Sequence, residues 1–283
     1  MIRRPHALLL LLAITGCAGE DSGPLAIAKV PGKLGKIAVN ATSIFAIDTA
    51  DSTVVELGLD GTMIGKLPNV GPVSDLAASG DLVAWVETEG TRKNVKRRKG
   101  GVIETLSTFS PHVVATAEGL FYSDLGLIAS WNEATPSRIA SPTGDVTLLG
   151  VDTSYAYTLE AGMSVQRYDR RMNVKEEFVA STLGAAVRDG YLSYRTADGV
   201  RIHDLFTKFD ALFGMPPADY TCDLLIAGHA VLCGKYRCLE GVTEELLEDP
   251  VGGYTSVGRD LYWVKVSATS SEIFKTDSEQ KLE

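Results

Sequence analysis

This sequence predicts an all-β fold, a seven-bladed β-propeller of four-stranded antiparallel blades, and three observations carry that expectation. Short apolar runs are broken every few residues by Gly, Asp, Asn or Ser, and no window beyond the first twenty residues holds a helical apolar stripe over many turns. A hairpin of two such runs, with a large side chain at the centre of the second, recurs seven times. A third run follows each hairpin, and usually a weaker fourth, so each repeat supplies one small sheet.

In chain order the hairpins read KIAVNATSIFAID from Lys36, DLAASGDLVAWVE from Asp75, HVVATAEGLFYSD from His112 and LLGVDTSYAYTLE from Leu148. AAVRDGYLSYRT from Ala185, LLIAGHAVLCGK from Leu224 and YTSVGRDLYWVK from Tyr254 complete the set. Their central residues, Phe45, Trp85, Tyr122, Tyr157, Tyr194, Leu232 and Trp263, lie 40, 37, 35, 37, 38 and 31 positions apart. Third strands are read in STVVELGL from Ser52, GVIETLS from Gly101, GLIASW from Gly126 and SVQRYD from Ser164. GVRIHDL from Gly199, YRCLEG from Tyr236 and SEIFKT from Ser271 continue the series, with fourth runs such as 64–67, 138–140 and 177–180.

A sheet of four short strands has two faces to cover, and radial packing against neighbouring copies covers both. The inner runs, such as Leu76-Ala77-Ala78 and Val113-Val114-Ala115, are small and apolar, as a crowded hub around a channel demands. The aromatics of the second strands fill the wider space between blades. The last repeat lacks a fourth strand, and residues 25–30 have the composition to supply it. Pairing the two closes the ring and removes two exposed sheet edges.

The segments Asp260-Leu261-Tyr262-Trp263-Val264 and Gly119-Leu120-Phe121-Tyr122-Ser123, with residues 51–61, resemble the YWTN/YVTN-like repeats of secreted bacterial propellers. The resemblance runs from Lys36 to the C-terminus. It implies the fold and not an activity, because function lives in sites grafted on folds.

The chain starts with Arg3 and Arg4, an apolar run over 7–14 too short to span a bilayer, and small residues around Cys17. Ile14-Thr15-Gly16-Cys17 resembles the bacterial lipoprotein signal, which implies cleavage before Cys17 and acylation of that residue. The expected organisation is a signal peptide over 1–16, a lipidated cysteine and tether over 17–24, and a propeller over 25–283. Removing 1–16 leaves a formal charge of about −11, a field that argues against nucleic acid as a partner. No second apolar run approaches the length of a membrane span. Ala18 after the cysteine favours the outer membrane, facing the periplasm or the cell surface.

Residues that carry chemistry are sparse. His112, His203 and His229 fall in different blades, His112 and His229 at opposite faces, without zinc-ligand spacing. No nucleophile elbow, phosphate loop or His-Glu-x-x-His is present, so no catalytic residue, metal ligand or cofactor is assigned. Asp48, Glu87, Asp124 and Glu160 end second strands and ring one face, where a divalent-cation site is the alternative to a solvated rim. Cys233 and Cys238 flank Gly234-Lys235-Tyr236-Arg237, read as a four-residue hairpin loop that brings them into disulfide range, with Cys222 as the competing partner.

Two polar or sticky segments stand apart. Residues 91–101, TRKNVKRRKGG, are read as a long loop between the second and third strands of blade two. Their Arg92, Lys93, Lys96, Arg97, Arg98 and Lys99 are the expected partner-binding element. Residues 204–217, with Leu205, Phe206, Phe209, Leu212 and Phe213, form either an outer strand that buries these side chains or a short helical turn. The functional expectation is a lipid-anchored envelope propeller that binds a protein or glycan partner without catalysis. The alternative is an envelope propeller hydrolase or lyase with a cation at the channel mouth.

Overall fold

Alternation of apolar and polar residues with a glycine-rich turn every few positions drives each repeat into an antiparallel meander. The computed structural model describes residues 24–279 apart from 70, 161–162, 173, 218–221 and 248–250, so Cys17 and its tether lie outside the described residues. Strand β1 (Leu25–Pro31) is followed by blade one, β2 (Leu34–Val39), β3 (Ser43–Asp48), β4 (Thr53–Gly58) and β5 (Met63–Lys66). Blade two is β6 (Val73–Ser79), β7 (Leu82–Glu89), β8 (Arg92–Lys99) and β9 (Val102–Thr108). Blade three is β10 (His112–Thr116), β11 (Gly119–Asp124), β12 (Leu127–Ser130) and β13 (Ser137–Ala140). Blade four is β14 (Thr147–Val151), β15 (Tyr155–Leu159), β16 (Val165–Asp169) and β17 (Lys175–Val179). Blade five is β18 (Gly184–Arg188), β19 (Tyr191–Thr196), β20 (Gly199–Asp204) and β21 (Asp210–Gly214). Blade six is β22 (Leu224–Ala227), β23 (Ala230–Cys233), β24 (Tyr236–Leu239) and β25 (Val242–Glu245). Blade seven is β26 (Val251–Val257), β27 (Asp260–Val266) and β28 (Ser270–Asp277), with β1 as its outer strand.

The ring therefore closes as the sequence predicts. β1 pairs antiparallel with β28, from Leu25 opposite Lys275 to Pro31 opposite Ser270. The buried Ser271 hydroxyl accepts from Leu34 N (2.9 Å) and donates to Gly32 O (3.0 Å), so it pins the crossing from blade seven into blade one. Gly61, at φ +84°, lets the turn of blade one lie against β1, where an added Cβ would stand 2.2 Å from the carbonyl oxygen of Ile27.

Seven apolar clusters fill the seven spaces between blades. Val30, Leu34, Ile37, Val264 and Ile273 join blades seven and one. Phe45, Val54, Leu76 and Trp85 join one and two, while Val86, Val95, Leu120, Tyr122 and Trp131 join two and three. Blades six and seven meet over Leu232, Leu247, Leu261 and Trp263.

The central large residues do fill the spaces between blades, but not all point the same way. Trp85, Tyr122, Tyr194 and Trp263 face the preceding blade. Phe45 and Leu232 face the following one, as does Tyr157, whose ring meets Phe178 edge-on in the interface with blade five. One position along a strand reverses the face, so these three repeats are aligned one residue out of phase with the other four.

The first strands start at one face of the ring and run to the other. The starts of β6, β10 and β14 therefore line a mouth, and the turns after each first and third strand lie on the opposite, far face. Residues 204–217 form no helix. Asp210–Gly214 is the outer strand β21, Phe206 and Phe209 stay exposed in the turn before it, and Leu212 is exposed on the strand itself, so the expected burial of these three side chains is not met.

Candidate functional site

At the channel mouth, charged side chains from several blades converge on a cavity. The cavity measures about 580 Å³, with Lys36, Asp75, Lys93, His112 and Asp223 among its lining and Val114, Leu149, Ala185 and Ala186 along its wall. Asp75 sits at a β-bulge of β6 and is nearly buried. One carboxylate oxygen accepts from Leu76 N (2.9 Å) and from the Lys36 ammonium of blade one. The other accepts from Val113 N of blade three (3.1 Å). One aspartate thus ties three blades together at the mouth. The His112 Nδ1 is 4.0 Å from Asp75, too far for a hydrogen bond.

With both its oxygens engaged by protein donors, Asp75 fixes the geometry of the mouth. The arrangement suits recognition of a polar group that enters the mouth, between a lysine and a histidine over an apolar shaft. At the far end Arg188 of blade five reaches past blade six, and its Nη1 donates to Ser256 Oγ of blade seven (2.7 Å). Burial pulls its guanidinium below the ordinary arginine range, and the neighbouring Asp189 opposes that shift.

The four second-strand carboxylates share the mouth face, yet each has a protein partner. Asp48 accepts from Ala50 N (3.0 Å), and Asp124 accepts from Ser110 N (2.7 Å) in the loop that leads into blade three. Glu87 is fully buried and pairs with Lys96 (2.7 Å), while Glu160 accepts from Tyr168 (2.7 Å) and pairs with Lys175 (2.8 Å). Their recurrence marks where second strands end and loops need capping. No group of three or more metal-ligating residues is present among the described residues.

The basic segment is not a projecting loop. Arg92–Lys99 is strand β8, paired on both sides, and the segment read as the third strand of this blade is its fourth, β9. Lys96 and Arg98 face blade one, where Arg98 donates to both oxygens of Glu56 (2.8 and 2.6 Å). That contact is the largest influence holding Glu56 below its usual carboxylate range, against the upward push of burial. Arg97 faces blade three, donating to Glu104 (2.6 Å), to the Trp131 carbonyl and to that of Glu133 (2.8 Å), with its guanidinium 4.4 Å from the centre of the Trp131 ring. Arg92 and Lys99 remain exposed at the two ends, on opposite faces, and Lys93 reaches the mouth.

This strand is the most basic instance of a repeated device. Arg167 pairs with Glu176, Arg201 with Asp210, and the nearly inaccessible Arg237 with Glu244, each joining a third strand to its fourth. Asp210 also accepts from Tyr194 (2.6 Å); burial pushes its carboxyl up, but the hydrogen bonds from Tyr194 and Arg201 hold it below its ordinary value. The arginine precedes its acid by seven to nine residues in four repeats, a signal legible in the sequence. Third-strand side chains sit where blades diverge, and there a long side chain spans the gap and ends on a carboxylate.

The expected Cys233–Cys238 bridge is also corrected. The disulfide joins Cys222 to Cys233, with Cα atoms 5.1 Å apart, and Cys238 is a buried free thiol. The turn after β23 holds only Gly234 and Lys235, so Cys233 pairs with Tyr236 and Cys238 falls two positions further on, opposite Val231. Cys222, just before β22, comes beside Cys233 because Leu224 pairs with it. Burial pushes the Cys238 thiol up, and Thr243 and Arg195 only partly oppose this. Non-reducing peptide mapping is expected to recover Cys222 linked to Cys233, with Cys238 alkylated only after unfolding. A Cys233–Cys238 peptide would contradict this pairing.

No protein-family description and no curated protein sequence matches the chain. Its fold defines it as a seven-bladed propeller, and solved structures share that fold at low identity. BamB from Moraxella catarrhalis aligns with a TM-score of 0.59 at 11% identity, over 93% of this chain and 100% of that one. PorZ, described as an essential bacterial surface component of the type-IX secretion system of Porphyromonas gingivalis, gives a TM-score of 0.59 at 11% identity. That alignment covers 89% of this chain but 39% of PorZ. The computationally designed Ika8 protein aligns with a TM-score of 0.57 at 10% identity, over 87% of this chain and 98% of its own.

Proposed function

We propose that this protein is an envelope propeller anchored by an acylated Cys17 and that it binds a protein or glycan partner, without catalysis, on its channel-mouth face. The observation that carries the proposal is the direction of β1. Leu25 lies at the far-face end of the closing strand and Pro31 at the mouth end. The chain from Cys17 therefore joins the ring on the face opposite the mouth, and residues 18–24 can span at most about 25 Å when extended. A lipid at Cys17 leaves the mouth turned away from the membrane and free for a partner. The resemblance in fold to PorZ, a bacterial surface component, is in keeping with an envelope setting.

Of the six basic residues expected to meet the partner, Arg92 and Lys93 are the ones this reading keeps, because they stand at the mouth end of β8. Lys96, Arg97 and Arg98 are spent on contacts within and between blades. A cation-dependent hydrolase has less support, since the carboxylates of the mouth face already have protein partners.

Cys17→Ser is expected to abolish incorporation of labelled palmitate and to move the protein from the membrane fraction to the soluble envelope fraction. Unchanged membrane association of that variant overturns the anchoring.

A further inference from the structure

The far face carries an unexpected number of exposed large apolar side chains. Leu25, Met63, Val102, Met172, Phe206 and Val242 are each between 53% and 83% exposed, and they come from six of the seven blades. All lie at or beside the turns between third and fourth strands, or at the free start of β1. They therefore encircle the face. The mouth face has fewer such residues, Phe109, Leu125, Leu183 and Met215 among them, and they occupy one side of the ring from the start of blade three to the end of blade five.

Placed at equivalent turns of six blades, these side chains give the face an apolar rim. A protein partner needs a contiguous patch, whereas side chains spaced around a rim match a plane. The tether supplies the plane, because Leu25 belongs to this rim and Cys17 lies eight residues before it. The turns of the same face bear exposed acids such as Asp60, Asp189 and Glu240 beside exposed bases such as Arg171, Lys208 and Arg259, a mixture that fits zwitterionic headgroups.

We propose that the far face is a membrane-seating surface, in which this apolar rim rests in the interfacial layer of a zwitterionic bilayer and holds the disc flat with its mouth outward. The inference rests on the anchoring reading above. Acyl chains fix one point at the edge of the disc, and the rim fixes its tilt. Met172, in blade four, stands across the ring from β1, where a tilt lock acts with most leverage, and Phe206 lies one blade nearer. Interfacial seating of this kind depends on buried apolar area and on lipid composition.

The test uses the full acylated chain reconstituted in vesicles of phosphatidylethanolamine and phosphatidylcholine. A polarity-sensitive fluorophore is placed at Phe206→Cys, at Val242→Cys or, on the mouth face, at Leu183→Cys. Cys238 is buried and takes no label in the folded protein. Acyl-chain-quencher lipids are expected to lower emission at 206 and 242 about twofold and to leave 183 unchanged. Equal quenching at 206 and 183 overturns the proposal. A blue shift at 206 without lipid quenching means a protein covers the face and also overturns it. If the chain floats with vesicles but 206 is not quenched, the anchor stands and the seating fails. If the chain does not float with vesicles at all, both fall.

Discussion

Val30→Asp is expected to lower the melting temperature by roughly 6–20 °C, since an unpaired buried charge costs about 3–5 kcal/mol and each kcal/mol shifts a domain of this size by about 2–4 °C. Val30 is 4% exposed and packs with Leu34, Ile37, Val264 and Ile273 at the seam where the ring closes. The strand that carries it also covers the hydrogen-bonding edge of β28. Deleting residues 25–31 removes both contributions and exposes that edge, so the truncated chain is expected to aggregate during expression. Lys29→Ala is the control. Lys29 forms a solvent-exposed pair with Glu272 at 2.9 Å, a contact worth no more than about 1 kcal/mol. A Val30→Asp variant that melts within 2 °C of the parent, judged beside that control, would show that the seam does not hold the ring together.

Charge reversal along β8 is the second large effect. A projecting loop would absorb Arg98→Glu without loss, but in the strand that substitution sets a carboxylate against Glu56, which is 8% exposed and also accepts from Ser43 (3.1 Å). Loss of the paired guanidinium leaves a nearly buried charge alone, and about 3 kcal/mol is expected because Arg98 itself is partly solvated. Arg97→Ala is expected to cost as much or more, since Arg97 is 5% exposed and the carbonyls of Trp131 and Glu133 lose their donor. Arg92→Glu, at the exposed end of the same strand, is expected to stay within about 0.5 kcal/mol of the parent. Thermal or urea unfolding of the three variants separates strand from loop. The swap Arg98→Glu with Glu56→Arg should recover part of the loss, and equal stability of all three single variants would refute the assignment.

The repeat was legible because blade formation is local. A strand, a tight turn and another strand need only neighbours in sequence, and the period near 37, the apolar hub runs and the spare strand at 25–30 all follow from patterns a few residues long. The basic strand was misread for a physical reason. Its burial is against carboxylates and carbonyls of its own and neighbouring blades, so RKNVKRRK has the composition of a solvated loop while Lys96, Arg97 and Arg98 end on Glu56, Glu87, Glu104 and two backbone oxygens. The disulfide turned on two residues of turn length, which moved Cys238 along its strand and left Cys222 beside Cys233.

By itself the sequence determined the class of fold, the number of blades and the means by which the ring closes, because hydrophobic period and turn chemistry act within one repeat. Only the tertiary structure decided which neighbour each blade centre faces, that Asp75 gathers Lys36, Val113 and His112 at one mouth, and that the exposed apolar turns share a face with the start of the chain. These depend on bringing together residues about one repeat or more apart. The angle at which each blade meets the next sets that convergence, and no local pattern encodes it.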